Sequence, residues 1–158
     1  PRSRMTVDAA GVIPGKDFSV KVTATQPVVA ERAMYWTSEA GSACHDSIGL
    51  PQPHSVFYLP DGQTGRGWET FTLVQNPNST RVDVEVVYYG ANGSFDVVVR
   101  RTLEAGSRAT FNMAERLPAG RAAVLVRCMT RGKKVLAERS MYRDGRSSGT
   151  CTIGGYAD

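Results

Sequence analysis

Hydrophobic positions along this chain alternate with a period of two over most of its length, the mark of strands with one buried face. Val82, Val84, Val86 and Tyr88 alternate with Arg81, Asp83, Glu85 and Val87. Phe71 and Leu73 form a second segment bounded by Glu69 and Gln75. Phe95, Val97 and Val99 make a third, Ala109, Phe111 and Met113 a fourth, and Ala122, Val124, Val126 and Cys128 a fifth. The runs Val135 to Tyr142 and Val56 to Leu59 complete seven. Between them stand Asn76-Pro77-Asn78-Ser79, Gly90-Ala91-Asn92-Gly93, Ala105-Gly106-Ser107 and Pro118-Ala119-Gly120, whose residues favour turns and end ladders. Only Met113 to Leu117 invites a helical turn. Short strands separated by turns every 8–12 residues or so predict an all-β chain folded as an antiparallel β-sandwich of immunoglobulin or fibronectin type.

The pattern also repeats. Val28-Val29-Ala30-Glu31-Arg32-Ala33-Met34-Tyr35 returns as Val135-Leu136-Ala137-Glu138-Arg139-Ser140-Met141-Tyr142, identical at six of eight positions. Ser3-Arg4-Met5-Thr6-Val7-Asp8 returns as Ser107-Arg108-Ala109-Thr110-Phe111-Asn112, and Pro14 as Pro118. Cys44 and Cys151 each follow the repeated Glu by thirteen residues. The offset is 104 residues for the early matches and 107 for the late ones, the difference falling where Thr23 to Pro27 gives way to a longer turn around Arg131-Gly132-Lys133. The chain therefore reads as one and a half copies of one unit. Residues 1–50 are the second half of a copy, with strands at Met5–Asp8, Phe18–Thr23 and Val28–Trp36. Residues 51–158 are a complete seven-stranded copy. Three strands alone leave an apolar face open, so the half copy is expected to pack on the complete one and give about ten strands in all. A separate, partly formed first domain is the alternative.

With 158 residues, the chain allows one domain or one and a fraction. Hydrophobic residues at 41% and charged residues at 22% exclude a disordered composition. No apolar run approaches the ~20 residues of a membrane helix, so no membrane insertion is expected. The first residue, Pro1, reads as the start of a fragment or processed product.

Four segments in order, Val29 to Tyr35, His45-Asp46-Ser47-Ile48-Gly49, Phe57-Tyr58-Leu59-Pro60-Asp61-Gly62 and Leu73-Val74-Gln75-Asn76-Pro77-Asn78, resemble a family of repeats. That family belongs to secreted and surface-attached proteins of Gram-positive bacteria, actinobacteria especially. The resemblance spans nearly the whole chain. It implies a β-sandwich repeat outside the cell, in a stalk or adhesive role, and it implies no catalytic residues. The second copy departs from it, because Cys151-Thr152-Ile153-Gly154 stands where the first copy has the His-Asp-Ser-Ile-Gly stretch.

Three cysteines in an extracellular chain leave one unpaired. Cys128 before the lengthened hairpin and Cys151 after the returning strand are the candidate disulfide, with Cys44 alone; three buried thiols are the other reading. Cys44, His45, Asp46, His54 and Glu31 could be drawn as a metal cluster. However, neighbours on an extended chain point to opposite faces and no paired ligand spacing occurs, so no metal or other cofactor is expected. A loop held by an Asp46 turn bond is the simpler expectation there. Adjacency also makes Cys44–His45 an awkward nucleophilic pair, and no Gly-x-Ser-x-Gly elbow is present. Glu31, Arg32, Glu138 and Arg139 recur at equivalent positions and are expected to form structural ion pairs within the unit.

The net charge of +4 is unevenly spread. Residues 121–146 carry eight Lys and Arg against Glu138 and Asp144. Arg127, Arg131, Lys133, Lys134, Arg143 and Arg146 are thus a candidate polyanion patch, for wall polymers or host glycosaminoglycans; a solvated edge that blocks sheet association is the plainer reading. No aromatic residues interleave these cations, which argues against nucleic acid. Trp68, beside Gly65-Arg66-Gly67, is a candidate sugar-stacking residue, although a Trp at a strand start usually packs in a core. The function expected is that of a non-catalytic extracellular spacer or adhesion module, with neighbouring repeat modules as partners. The alternative is a module that binds anionic polymers or carbohydrate through its basic end.

Overall fold

A computed structural model describes residues 3–158. Eleven strands form three antiparallel sheets, so the chain is all-β as its alternation predicts. β1 (Glu31–Ser38) and β2 (Gly41–Ile48) make a hairpin. The complete copy supplies β3 (Val56–Thr64), β4 (Trp68–Gln75), β5 (Val82–Gly90), β6 (Asp96–Leu103), β7 (Arg108–Asn112), β8 (Gly120–Cys128), β9 (Leu136–Arg143), β10 (Ser148–Thr152) and β11 (Gly155–Ala157). One sheet runs β10-β9-β4-β7 and the other β11-β3-β8-β5-β6. All seven strands expected after residue 50 are present, together with the short edge strands β10 and β11. A helical turn forms at Met113–Glu115.

The sandwich core lies between these two sheets. Phe57, Leu59, Val82, Val84, Val86, Tyr88, Val124 and Val126 come from one sheet, and Val74, Phe111 and Ala137 from the other. The four-stranded sheet lines its inner face partly with polar side chains. Thr70 is satisfied by Gln63, donating to its carbonyl at 2.6 Å and accepting from its amide at 2.9 Å. Asn76 is fully buried, donating to the Thr80 and Glu104 carbonyls at 2.9 Å and accepting from the Asn78 amide at 2.9 Å. The Asn-Pro-Asn motif is therefore a loop clamp: without these bonds the buried amide would be destabilising. The Leu59-Pro60-Asp61-Gly62 motif is a bulge, where pairing with β8 shifts register between Leu59 and Gly62. Gly62 suits that bulge, since a Cβ there would sit 3.0 Å from the Met113 sulfur and 3.2 Å from Thr70.

The half copy behaves differently. Met5–Asp8 and Phe18–Thr23 are not strands, and the strand expected over Val28–Trp36 begins only at Glu31. Their counterparts, β7 and β8, exist because β7 pairs with β4 and β8 lies between β3 and β5. Among the described residues, no such partners stand beside Met5–Asp8 or Phe18–Thr23. A strand without a neighbour has unsatisfied ladder groups and no face to bury. Local structure survives even so. Asp8 accepts from the Ala10 amide at 3.1 Å and caps a helical turn at Ala9–Val12, as Asn112 accepts from the Ala114 amide at 3.0 Å. The His45-Asp46-Ser47-Ile48 stretch, expected in a loop, lies in β2, paired along its length with β1.

Candidate functional site

Outside the core, the hairpin makes a built contact with the outer face of β9–β10. Pairing register assigns the faces. On β9, Ala137, Arg139 and Met141 lie opposite Val74, Thr72 and Thr70 and face the core, so Glu138, Ser140 and Tyr142 face outward. On the hairpin, Arg32, Met34 and Trp36 share a face with Ser47, His45 and Ala43. This face meets the outward one. Arg32 Nη1 donates to Glu138 Oε1 at 2.8 Å, while its Nη2 lies 3.3 Å from Cys151 Sγ. Ser47 donates to the other Glu138 oxygen at 3.4 Å. Trp36 Nε1 donates to the Arg146 carbonyl at 2.7 Å. His45 Nε2 lies 3.3 Å from Tyr142 Oη, and the Trp36 ring meets Tyr142 edge-on at 5.4 Å. Gly149 makes room for this, because a Cβ there would stand 2.9 Å from both Trp36 and Tyr142.

The repeated charges thus pair between copies. Arg32 of the half copy holds Glu138 of the complete one; Glu31 is exposed; Arg139 is buried and donates to the Asp61 carbonyl in the bulge. Burial lowers the pKa of Arg139 and of His45, the latter helped by the Arg32 guanidinium. Burial raises the Tyr142 phenol and the Cys151 thiol, the latter further through the Glu138 carboxylate. Burial therefore favours the neutral thiol form of Cys151 over its thiolate.

No disulfide joins the three cysteines in this arrangement. Cys128 closes β8 against the core, its thiol raised by burial, whereas Cys151 lies on β10 in the other sheet beneath the hairpin. The structure does not join them. Cys44 is exposed. His54 is buried elsewhere, its ring stacked on Tyr156 at 4.0 Å and its Nδ1 3.2 Å from Asp158. Among the described residues, no three His, Cys, Asp or Glu side chains converge to hold a metal ion.

The six candidate basic residues do not form one patch. Arg127, Arg131, Lys133 and Lys134 lie at one end of β9, and Arg143 and Arg146 at the other, roughly 23 Å apart for an eight-residue strand. Four of them face carboxylates: Arg127 with Glu85 at 3.4 Å, Lys134 with Asp158 at 2.6 Å, Arg143 with Asp144 at 3.0 Å and Arg146 with Glu69 at 2.8 Å. Only Arg131 and Lys133 lack a carboxylate partner among the described residues. Trp68 is not an open platform, since the Arg143 guanidinium lies 5.2 Å over its ring.

Two groupings escaped the sequence reading. Trp36 and His45 join Tyr142 across the hairpin contact. Glu85, buried on the outer face of the five-stranded sheet, sits between Arg100 at 2.8 Å and Arg127 at 3.4 Å. Alternation places Glu85 on the outward side of its strand, and only the register puts an Arg directly opposite it on each neighbour.

No helix among the described residues is long and apolar enough to cross a membrane. No family model matches the chain, and no curated protein matches it in sequence. Among solved structures, the chain resembles the crystal structure of Thermotoga maritima 1070, with a TM-score of 0.56 at 14% identity over 66% of this chain and 96% of that one. It also aligns with the Anabaena sensory rhodopsin transducer at a TM-score of 0.46 and 13% identity, over 58% of this chain and 99% of that one. The Thermotoga maritima likeness is one of fold alone.

Proposed function

We propose that this chain is a non-catalytic module built from repeats of one β-sandwich unit, which links successive units into a spacer or adhesive stalk at a Gram-positive cell surface. The observation that carries the reading is the hairpin: strands belonging to one copy dock on the sheet of the next. Their contact combines a partly buried ion pair with an aromatic cluster, so neighbouring copies are held at a set angle rather than on a free linker. Pro51 and Pro53, in the short connection to β3, restrict that connection further. Binding of anionic polymers through the basic end has less support, because the six cations divide between two ends and four already face carboxylates.

A double-mutant cycle tests the linkage. Arg32→Ala and Glu138→Ala are each expected to destabilise the chain by about 1–3 kcal/mol, with a coupling of about 1–2 kcal/mol between them in denaturant unfolding. Additive effects, with the hairpin melting before the sandwich, would remove the linking role.

A further inference from the structure

The segment from Arg4 to Ala24 exposes Met5, Val7, Val12, Val20 and Val22, and Asp17 within it meets Arg108 of β7 at 3.0 Å. Its repeat counterpart shows what it fits. Val20 and Val22 are 64% and 58% exposed, whereas Val124 and Val126, at the same positions in the complete copy, are 2% and 0% exposed. Val7 is likewise exposed, and its counterpart Phe111 is buried in the core. The two segments share alternation, the carboxylate or amide cap of the helical turn and the proline that follows. They differ in their neighbours: β8 lies between β3 and β5, and β7 lies against β4.

We infer that residues 4–24 are completing strands, which add to a further copy of the first half of this unit, presenting strands of the β3, β4 and β5 type. This rests on the repeat-module reading above. The alternation leaves Val20 and Val22 to fill a core against strands like Val56–Thr64 and Val82–Gly90, with Val7 against one like Trp68–Gln75. Completion has a consequence for the hairpin. In a finished unit, Arg32 and Met34 would take the places that Arg139 and Met141 hold, facing their own core. The same hairpin face is used here on Glu138 and Tyr142. A finished unit would therefore give up the contact with Glu138 and Tyr142, so the linkage proposed above belongs to a copy whose own core is open. A second whole chain offers no equivalent seat, because the places beside β3, β4 and β5 are filled by that chain's own β7 and β8.

The test adds residues 51–104 directly ahead of Pro1 in the full chain, which restores a complete unit in sequence, and reads amide hydrogen exchange over residues 16–24. In the 158-residue chain these amides are expected to exchange as an open segment. In the extended chain they should slow by at least about 100-fold, as residues 120–128 do. Val20→Asp with Val22→Asp in the extended chain should abolish that protection while residues 120–128 keep theirs, so the complete copy serves as the folding control. Absence of protection in the extended chain overturns the inference. So does protection of the unextended chain that grows with its concentration, which would make a second whole chain the occupant. Exchange at residues 16–24 is read separately from the Arg32–Glu138 cycle, so the failure of either leaves the other standing.

Discussion

The hairpin β1–β2 and its counterpart β9–β10 share a Glu-Arg-x-Met-Tyr run and one Cys and do opposite work. Tyr35 is 80% exposed, whereas Tyr142 is half-buried beneath Trp36 and His45. Arg139 points inward and holds the bulge carbonyl of Asp61; Arg32 reaches across to another copy's carboxylate. The positions at which the two copies differ are the informative ones. Trp36, His45 and Ser47 stand where the complete copy has Arg143, Thr152 and Gly154, and all three make contacts across the interface. The divergent Trp36, His45 and Ser47 join the shared Arg32 in making this hairpin a docking face.

Placing one charge in the segment ahead of each hairpin extends this contrast with the largest expected effect. Val126→Asp buries an unpaired carboxylate in the core and is expected to cost more than about 4 kcal/mol, leaving the chain unfolded by circular dichroism. Val22→Asp, at the matching exposed position, should change stability by no more than about 0.5 kcal/mol. Equal effects would mean that residues 16–24 are already buried.

A smaller effect separates the hairpin contact from its counterpart. Gly149→Ala places a methyl against Trp36 and Tyr142 and should weaken docking by about 1–3 kcal/mol. Ser42→Ala, on the exposed face at the matching position, should be nearly silent. Thermal unfolding of the two variants side by side measures the difference, and a silent Gly149→Ala would place the hairpin elsewhere.

The smallest expected effect is a pH dependence confined to the docked copy. Docked His45 has its pKa held below the ordinary 6.5, first by burial and then by Arg32, with Glu138 and Asp46 opposing. The undocked hairpin therefore binds the proton more readily. Docking should be at full strength above the ordinary value, weaken as pH falls below it, and lose this contribution entirely below the docked-state pKa. The Trp36 indole N–H resonance, followed from pH 7.5 to about 5, should broaden or shift toward its undocked position, and His45→Asn should flatten the response. An unchanged resonance in the parent chain would show that His45 keeps its ordinary affinity for protons when docked.

Much of the architecture is legible in the chain, and the reasons are local. Alternation at Val82–Tyr88 or Ala122–Cys128 reports a strand with a buried side, and turn residues at Asn76–Ser79 report where it stops. The recurrence of Val-x-Ala-Glu-Arg-x-Met-Tyr is legible too. The candidate site is less so. His45 reads as a loop residue because nothing in His-Asp-Ser-Ile-Gly announces that Arg32 to Tyr35 will pair with it. The basic residues read as clustered because sequence distance across β9 is short, whereas an extended strand carries its two ends far apart. Met5–Asp8 and Phe18–Thr23 carry sound strand patterns and form no strands, since a ladder needs a neighbour that pattern alone cannot supply.

Which segments are able to be strands, where they turn, and that one sequence pattern recurs all follow from the chain alone, because these depend on side-chain period, backbone preference and residue identity. Tertiary contacts select which of two matching strands is buried, which carboxylate each arginine meets and which face of the hairpin is used. Those outcomes depend on register and on the neighbour across the gap. A buried surface belongs to a pair of elements, and a single strand encodes only its half.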